Sequence, residues 1–303
     1  MFFLLIKLYF LLLYLSIGRE FVKKVLFFLT CFFSFFSFFG FVLADGGPKP
    51  WQLGFRPPAT PTMEKVVEFH DYFINPIIIG IAVFVIALMI YIIIRFSEKN
   101  NPKPTKTTHN TALEVLWTVI PAIILIIIAI PAFKLLYFSH YNPNTEMTIK
   151  AIGNQWYWSY EYPDHGIAFD SNMLCGTKEE CDEISKETGK KHVRLLDVDE
   201  PLVLPVNKKI KVISTATDVI HSFSVSAFGI KIDGVPGRAQ DTWFEILNEG
   251  TYYGQCSELC GMLHGFMPVM VKAVSESEFD NWVQNKKAAA KKNEEIKKVE
   301  IIK

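Results

Sequence analysis

Residues 256–267 read Cys-Ser-Glu-Leu-Cys-Gly-Met-Leu-His-Gly-Phe-Met. Two thiols, an imidazole and a thioether therefore fall within one turn-rich loop of a β-rich segment. Thiolate and thioether donors select copper(I), zinc or iron–sulfur clusters, and imidazole suits zinc, copper and iron. A further histidine, His221, lies upstream in Thr217-Asp218-Val219-Ile220-His221-Ser222-Phe223, whose neighbours alternate as a strand end does. It can complete the set.

Stoichiometry separates the metals. Zinc wants four tetrahedral Cys and His ligands, which Cys256, Cys260, His264 and His221 can supply, but it leaves Met267 without a role. A mononuclear blue-copper site needs one Cys, two His and a weak axial Met, and leaves the second thiolate over. Two thiolates can instead bridge two coppers, each taking one His and one weak donor. Met267 and the backbone carbonyl of Glu258 are placed for the latter, so the donor set favours a binuclear copper site. A Cys256–Cys260 disulfide is the remaining alternative, with no use for either histidine.

Outward from the loop the pattern is one of short strands. Residues 209–214 (Lys-Ile-Lys-Val-Ile-Ser) and 242–246 (Thr-Trp-Phe-Glu-Ile) alternate polar with apolar, and 269–274 do so more loosely, which predicts an antiparallel sandwich or barrel. Ser275 with Glu278 forms a capping-box signature for a short helix around Phe279 and Trp282, followed by a Lys- and Glu-rich tail over 285–303 that reads as a solvated or frayed helix. The polar segment 171–192 reads as an insertion between strands. Its Cys175 and Cys181 either pair, where the compartment is oxidising, or stay as thiols. The run Trp156-Tyr157-Trp158-Ser159-Tyr160 alternates sides, placing both tryptophans on one face.

With 303 residues, 50% hydrophobic content and 26 Phe, the chain is too apolar for a wholly soluble protein. Residues 73–96 and 115–138 are each long enough to span a bilayer. The loop between them carries Arg95, Lys99, Lys103 and Lys106 against Glu98, which predicts a cytoplasmic loop and a C-terminal domain in the periplasm. Residues 1–44 have the basic flank, apolar core and small closing residue of a secretory signal, with cleavage expected after Ala44. The apolar stretch 1–17 has no evident job within such a leader, and an extra transmembrane helix is its alternative reading. Cys31 follows Thr30 rather than a small residue, so lipidation is not expected. The predicted organisation is thus a leader (1–44), a two-span segment (45–140), a periplasmic copper domain (141–284) and the tail.

Formal charge is zero overall, yet residues 145–280 hold 21 acids against 12 bases. An acidic soluble domain suits a basic protein partner, by electrostatic steering, and gives no reason to expect nucleic acid.

The loop 256–267 resembles the binuclear copper (CuA) loop of the cytochrome c oxidase subunit 2 family, in its bacterial form. So do Asp218-Val219-Ile220-His221, Asp233-Gly234-Val235-Pro236-Gly237-Arg238 and Gln155-Trp156-Tyr157-Trp158-Ser159-Tyr160-Glu161-Tyr162-Pro163, in the same order. The likeness runs from about Trp51 to about Trp282. It implies a two-helix transmembrane hairpin plus an all-β cupredoxin-like Greek-key barrel in the bacterial inner membrane. It also implies that electrons pass from cytochrome c to the haem of subunit 1, where oxygen is reduced and protons are moved, with subunit 3 a further partner.

Residue by residue, the resemblance makes His221 and Met267 ligands of one copper, and His264 and the Glu258 carbonyl ligands of the other, with Cys256 and Cys260 bridging. Trp156 matches the family's electron inlet. Glu114, at the start of the second span, matches a glutamate at the mouth of a proton channel; its other reading is a helix-start acid favoured by the macrodipole. The Glu258 carboxylate would bind magnesium at the boundary with subunit 1, near Asp233 and Arg238. Asp199, Asp218, Glu161 and Asp164 are candidate docking acids. Asn154 stands where the family usually has His. The rival reading is a membrane-anchored copper-delivery protein without a catalytic partner; a quinol-oxidase subunit would lack the copper ligands.

Overall fold

The computed structural model describes residues 47–301 apart from 104 and 142, with side chains as far as 291. The expected leader, its cleavage point and Cys31 lie outside the described residues. Two helices are long and apolar enough to cross a membrane, Pro61–Arg95 and Thr111–His140. The first begins as α1 (Pro61–Phe69), where the Thr60 side chain accepts a hydrogen bond from the Met63 amide and Pro61 occupies the first turn. It widens to a π turn over His70–Ile74 and continues as α2 (Asn75–Arg95). The widening falls just ahead of Pro76, whose missing N–H removes one helical bond. The second, α3 (Thr111–His140), is capped by the Asn110 side chain and carries Pro121 and Pro131 inside it.

Both helices outrun the predicted spans, because capped polar turns extend them beyond the apolar run. Among the described residues, neither α2 nor α3 buries a single one of its side chains.

The C-terminal domain is built from β1 (Met147–Asn154), β2 (Tyr157–Tyr162), β3 (Ile167–Ser171), β4 (Leu202–Pro205), β5 (Lys209–Ala216), β6 (His221–Val225), β7 (Ile230–Gly234), β8 (Gln240–Glu245), β9 (Gly250–Gln255) and β10 (Pro268–Val274). They form two five-stranded sheets, ordered β3-β2-β1-β5-β8 and β4-β10-β9-β6-β7. The connectivity is a cupredoxin-like Greek key. One expectation is corrected: the sheets are mixed, with β1 parallel to β5 and β4 parallel to β10. The chain changes sheets between β3 and β4 and again before β5, so β5 returns to β1 from the far side and runs alongside it.

Alternation decides what goes inside. In β2 the buried positions are Trp158, Tyr160 and Tyr162, and from the facing sheet come Phe223, Val269 and Val271. Burying side chains of this size stabilises the fold by about 1.5–3 kcal/mol each, which makes a rigid floor beneath the loops at one end. The expected terminal helix and the charged tail form one continuous helix, α5 (Glu276–Ile301). The Ser275 hydroxyl accepts from the Glu278 amide, and Phe279 and Trp282 pack against Tyr162. The insertion holds a helix not foreseen, α4 (Lys178–Thr188), with a Thr177/Glu180 capping box and Gly189 at φ 68° closing it. Cys175 and Cys181 form a disulfide, the first of the two readings left open.

The helices are tied to the domain through Ala59, whose amide donates to the Ala227 carbonyl and whose carbonyl accepts from Leu247, each at 2.9 Å. The Thr60 hydroxyl adds a bond to the Phe228 carbonyl at 2.7 Å. At the end of α3, Phe138 meets Trp243 of β8 edge to face.

Candidate metal centre

Strand β6 opens with His221, and the loop between β9 and β10 carries the other donors, so two adjacent strands of one sheet aim them at one point. Cys256 Sγ lies 3.9 Å from His221 Nδ1 and 3.9 Å from Cys260 Sγ. Cys260 Sγ lies 3.5 Å from His264 Nδ1 and 3.6 Å from Met267 Sδ. The Glu258 carbonyl oxygen is 3.4 Å from Cys256 Sγ. All six predicted donors therefore converge, and the two cysteines are free thiols rather than a disulfide. His221, Cys256, Cys260 and Met267 are all buried, which keeps water from the donor atoms.

This donor set fits copper. Two thiols side by side, with two imidazoles and two weak donors around them, are a soft donor set of the kind copper takes; a single tetrahedral zinc would leave Met267 packed against Cys260 for no purpose.

The second rank of contacts holds the donors. Asp218 Oδ1 lies 2.9 Å from His221 Nε2 and accepts from the Val219 amide, while its Oδ2 accepts from the Gln155 amide at 2.7 Å. Burial works against this charge, yet those donors together hold the Asp218 carboxyl below its ordinary range. The Cys260 carbonyl accepts twice, from the Gln155 side-chain amide at 2.9 Å and from the Trp156 indole N–H at 3.2 Å. Trp158 Nε1 donates to the Met267 carbonyl at 3.3 Å, a role the sequence reading missed. Gly261, at φ +117°, allows the close seating of Trp156, because a Cβ there would lie 3.1 Å from its ring.

The thiols are not equivalent. Burial pushes Cys256 up, but His221, the Glu258 and Ser222 backbone and His264 outweigh it and bring the thiol down to about 6. Burial and then the Cys256 thiolate push Cys260 up to about 12. The metal-free pair therefore carries one negative charge across a wide pH range.

The family of the chain is decided by two matches over separate segments. Residues 147–274 match the model of the cytochrome c oxidase subunit II periplasmic domain, and residues 48–135 that of its transmembrane domain. The chain belongs to the cytochrome c oxidase subunit II family. A probable cytochrome c oxidase subunit 2 of Rickettsia bellii is 49% identical over 251 residues, covering 82% of this chain and 90% of its own. Cytochrome c oxidase subunit 2 of Cyanidium caldarium is 44% identical, covering 84% and 98%. The solved periplasmic domain of subunit II of cytochrome oxidase (CoxB) of Bradyrhizobium japonicum is 47% identical and matches 48% of this chain and 97% of that one, with a TM-score of 0.43.

Other residues expected from the subunit II pattern fall as follows. Trp156 lies not on a strand but in the β1–β2 turn, half-buried, while Trp158 is fully buried in the core. Asn154 donates to the Ser159 hydroxyl and accepts from the Thr217 hydroxyl. The Glu114 carboxylate accepts from the Asn110 amide and so closes the N-terminal turn of α3. Lys231 sits between two carboxylates, 3.2 Å from Asp233 and 3.8 Å from Glu258. Of the four docking candidates, Asp218 is occupied as above. Glu161 pairs with Lys150, Asp164 accepts from the Thr148 amide, and Asp199 braces Asn172.

Proposed function

We propose that this subunit relays electrons one at a time from a basic cytochrome c to the haem of oxidase subunit 1, through two copper ions held by His221, Cys256, Glu258 (carbonyl), Cys260, His264 and Met267. The observation that carries this reading is the convergence of all six donors on one pair of thiols. Bound copper would supply reversible one-electron chemistry. The protein's part is to keep the donors still, since ligands that move little between redox states cost little reorganisation. The sheet floor, the Asp218 bond to His221 and the Trp158 bond to the Met267 carbonyl all serve that end.

Trp156 is the proposed inlet: its half-exposed ring is joined by its N–H to the carbonyl of Cys260, the same residue that supplies one of the two thiols. Exposed Val219, Ile220, Leu259, Met262 and Leu263 surround the loop with apolar surface suited to protein contact. The excess of acids in this domain suits a basic donor. Subunit 3 is a further expected partner.

The domain is proposed to face the periplasm. The basic loop between the spans favours that side, and so does the Cys175–Cys181 bridge, since disulfides persist in oxidising compartments. Magnesium at the subunit 1 boundary would draw on the Glu258 carboxylate and must displace Lys231 from it. Glu114 is proposed to give up its capping bond when it serves a proton inlet.

The test is metal analysis and electron paramagnetic resonance of the purified oxidase. Two coppers per chain sharing one unpaired electron are expected. One copper, or zinc, ends the binuclear reading, and a chain that purifies alone and passes copper to other proteins makes it a delivery factor.

A further inference from the structure

A groove of 440 Å³ lies between α1 with its π turn and the last turns of α3, within the range of small-molecule sites. Its walls are apolar, Phe69, Phe73, Leu135 and Phe138 among them, and two ammonium groups, Lys65 and Lys134, stand in its lining with a single acid, Glu68. The Lys65 ammonium is held 4.7 Å over the Phe138 ring, at the groove rather than out in water. Lys134 is six residues short of His140, the end of α3, so it lies about 9 Å from the helix end, and its long side chain can carry the ammonium from within the span toward the headgroups of a bilayer. Below the groove both helices continue as apolar runs in which none of the described residues is buried.

We propose that this groove binds one anionic phospholipid of the surrounding membrane, its phosphodiester between Lys65 and Lys134 and an acyl chain descending past Phe73 and Leu135. Charge selects this occupant over a neutral lipid, since two cations face one acid at headgroup depth. The continuing apolar wall selects a lipid over a free phosphate. The site stands on the membrane reading of the two spans and does not depend on the copper chemistry.

The experiment uses the intact oxidase complex, delipidated and returned to phosphatidylcholine vesicles containing a minor fraction of spin-labelled phosphatidylglycerol. The wild type is expected to immobilise one label per complex that the Lys65→Gln/Lys134→Gln variant loses, with affinity falling roughly 30-fold. The Lys65→Arg/Lys134→Arg variant should restore it, and spin-labelled phosphatidylcholine should not be held by either. Equal retention by the Gln variant overturns the site. A photoreactive side chain at Tyr72, which also lines the groove, should label lipid. Labelling of another subunit instead makes the groove a protein interface and overturns the proposal. Copper content, measured in parallel, should stay constant throughout, so failure here is distinct from failure of the electron-relay reading.

Discussion

Asp218 Oδ1 and His221 Nε2 are 2.9 Å apart, while the opposite ring nitrogen, Nδ1, faces Cys256 Sγ. An ionised carboxylate only accepts hydrogen bonds, so Nε2 carries a proton and Nδ1 is the ring nitrogen left to face the thiol pair, the one that would ligate a metal once the ring is neutral. The same carboxylate holds the Gln155 amide, next to Trp156. One acid thus fixes both a proposed copper ligand and the turn that carries the proposed inlet. Asp218→Asn should lower copper affinity about 10–100-fold, the usual cost of losing a partner behind a ligating histidine. Competition titration measures it, with circular dichroism checking the fold. Unchanged affinity would reduce Asp218 to a surface charge.

The unequal thiols give a pH signature in the metal-free protein. Cys256, brought down to about 6, should be alkylated by iodoacetamide with a midpoint near that value, while Cys260, pushed up to about 12, stays unreactive at neutral pH. For stability the signs oppose. The depressed Cys256 stabilises the fold above the ordinary thiol range, and that contribution is lost as pH falls through about 6. The raised Cys260 stabilises it below the ordinary range, and that contribution is lost as pH climbs toward about 12. Urea midpoints should therefore rise from pH 6 toward the ordinary thiol range and decline beyond it. A flat profile would mean the thiols do not share a proton.

The candidate donors stood out in the sequence because soft ligands are rare and five of the six fall in twelve consecutive residues. Strand alternation likewise revealed the β framework. What stayed hidden depends on direction rather than on residue type. Asp218 is three residues from His221, but spacing does not say that its carboxylate turns back onto the ring, so it read as a docking acid. The parallel pairing of β1 with β5 follows from where the chain crosses between sheets, which local pattern does not encode. Helix α4 did leave a signal: Thr177 and Glu180 have capping-box spacing, and Gly189 follows at the right distance.

Gly153 of β1 lies directly beneath the histidine. A Cβ at that position would stand 2.6 Å from both Cβ and Cγ of His221, a side chain with no free space to retreat into. Gly153→Ala should destabilise the domain by about 1–3 kcal/mol, the range for overpacking a filled core, and reduce copper occupancy at the same time. Thermal unfolding and metal analysis check the two effects. Full occupancy at normal stability would show that β1 can shift without disturbing the ligand.

The Cys175–Cys181 bridge closes a short loop, with a sequence separation of 6. Chain entropy gives such a loop about 2 kcal/mol. Cys175→Ser/Cys181→Ser should lower the unfolding midpoint by that order and leave copper content intact, because neither sulfur belongs to the donor set. Loss of copper would instead tie the insertion to the metal loop, which Gly176 approaches near Phe266.

Trp156 separates relay from scaffold. Its indole N–H donates to the Cys260 carbonyl, but Gln155 supplies a second donor to the same oxygen, so the loop keeps one bond when the indole is replaced. Trp156→Phe should therefore cost about 1 kcal/mol of stability, too little to unload the site. If Trp156 is the inlet, the variant oxidises cytochrome c more slowly while copper content and the paramagnetic spectrum stay unchanged. A small-molecule reductant that reaches the loop directly should then reduce both proteins at the same rate, which places the defect at the protein–protein step. Equal slowing with both reductants, or loss of copper, would assign Trp156 to holding the loop rather than to carrying electrons.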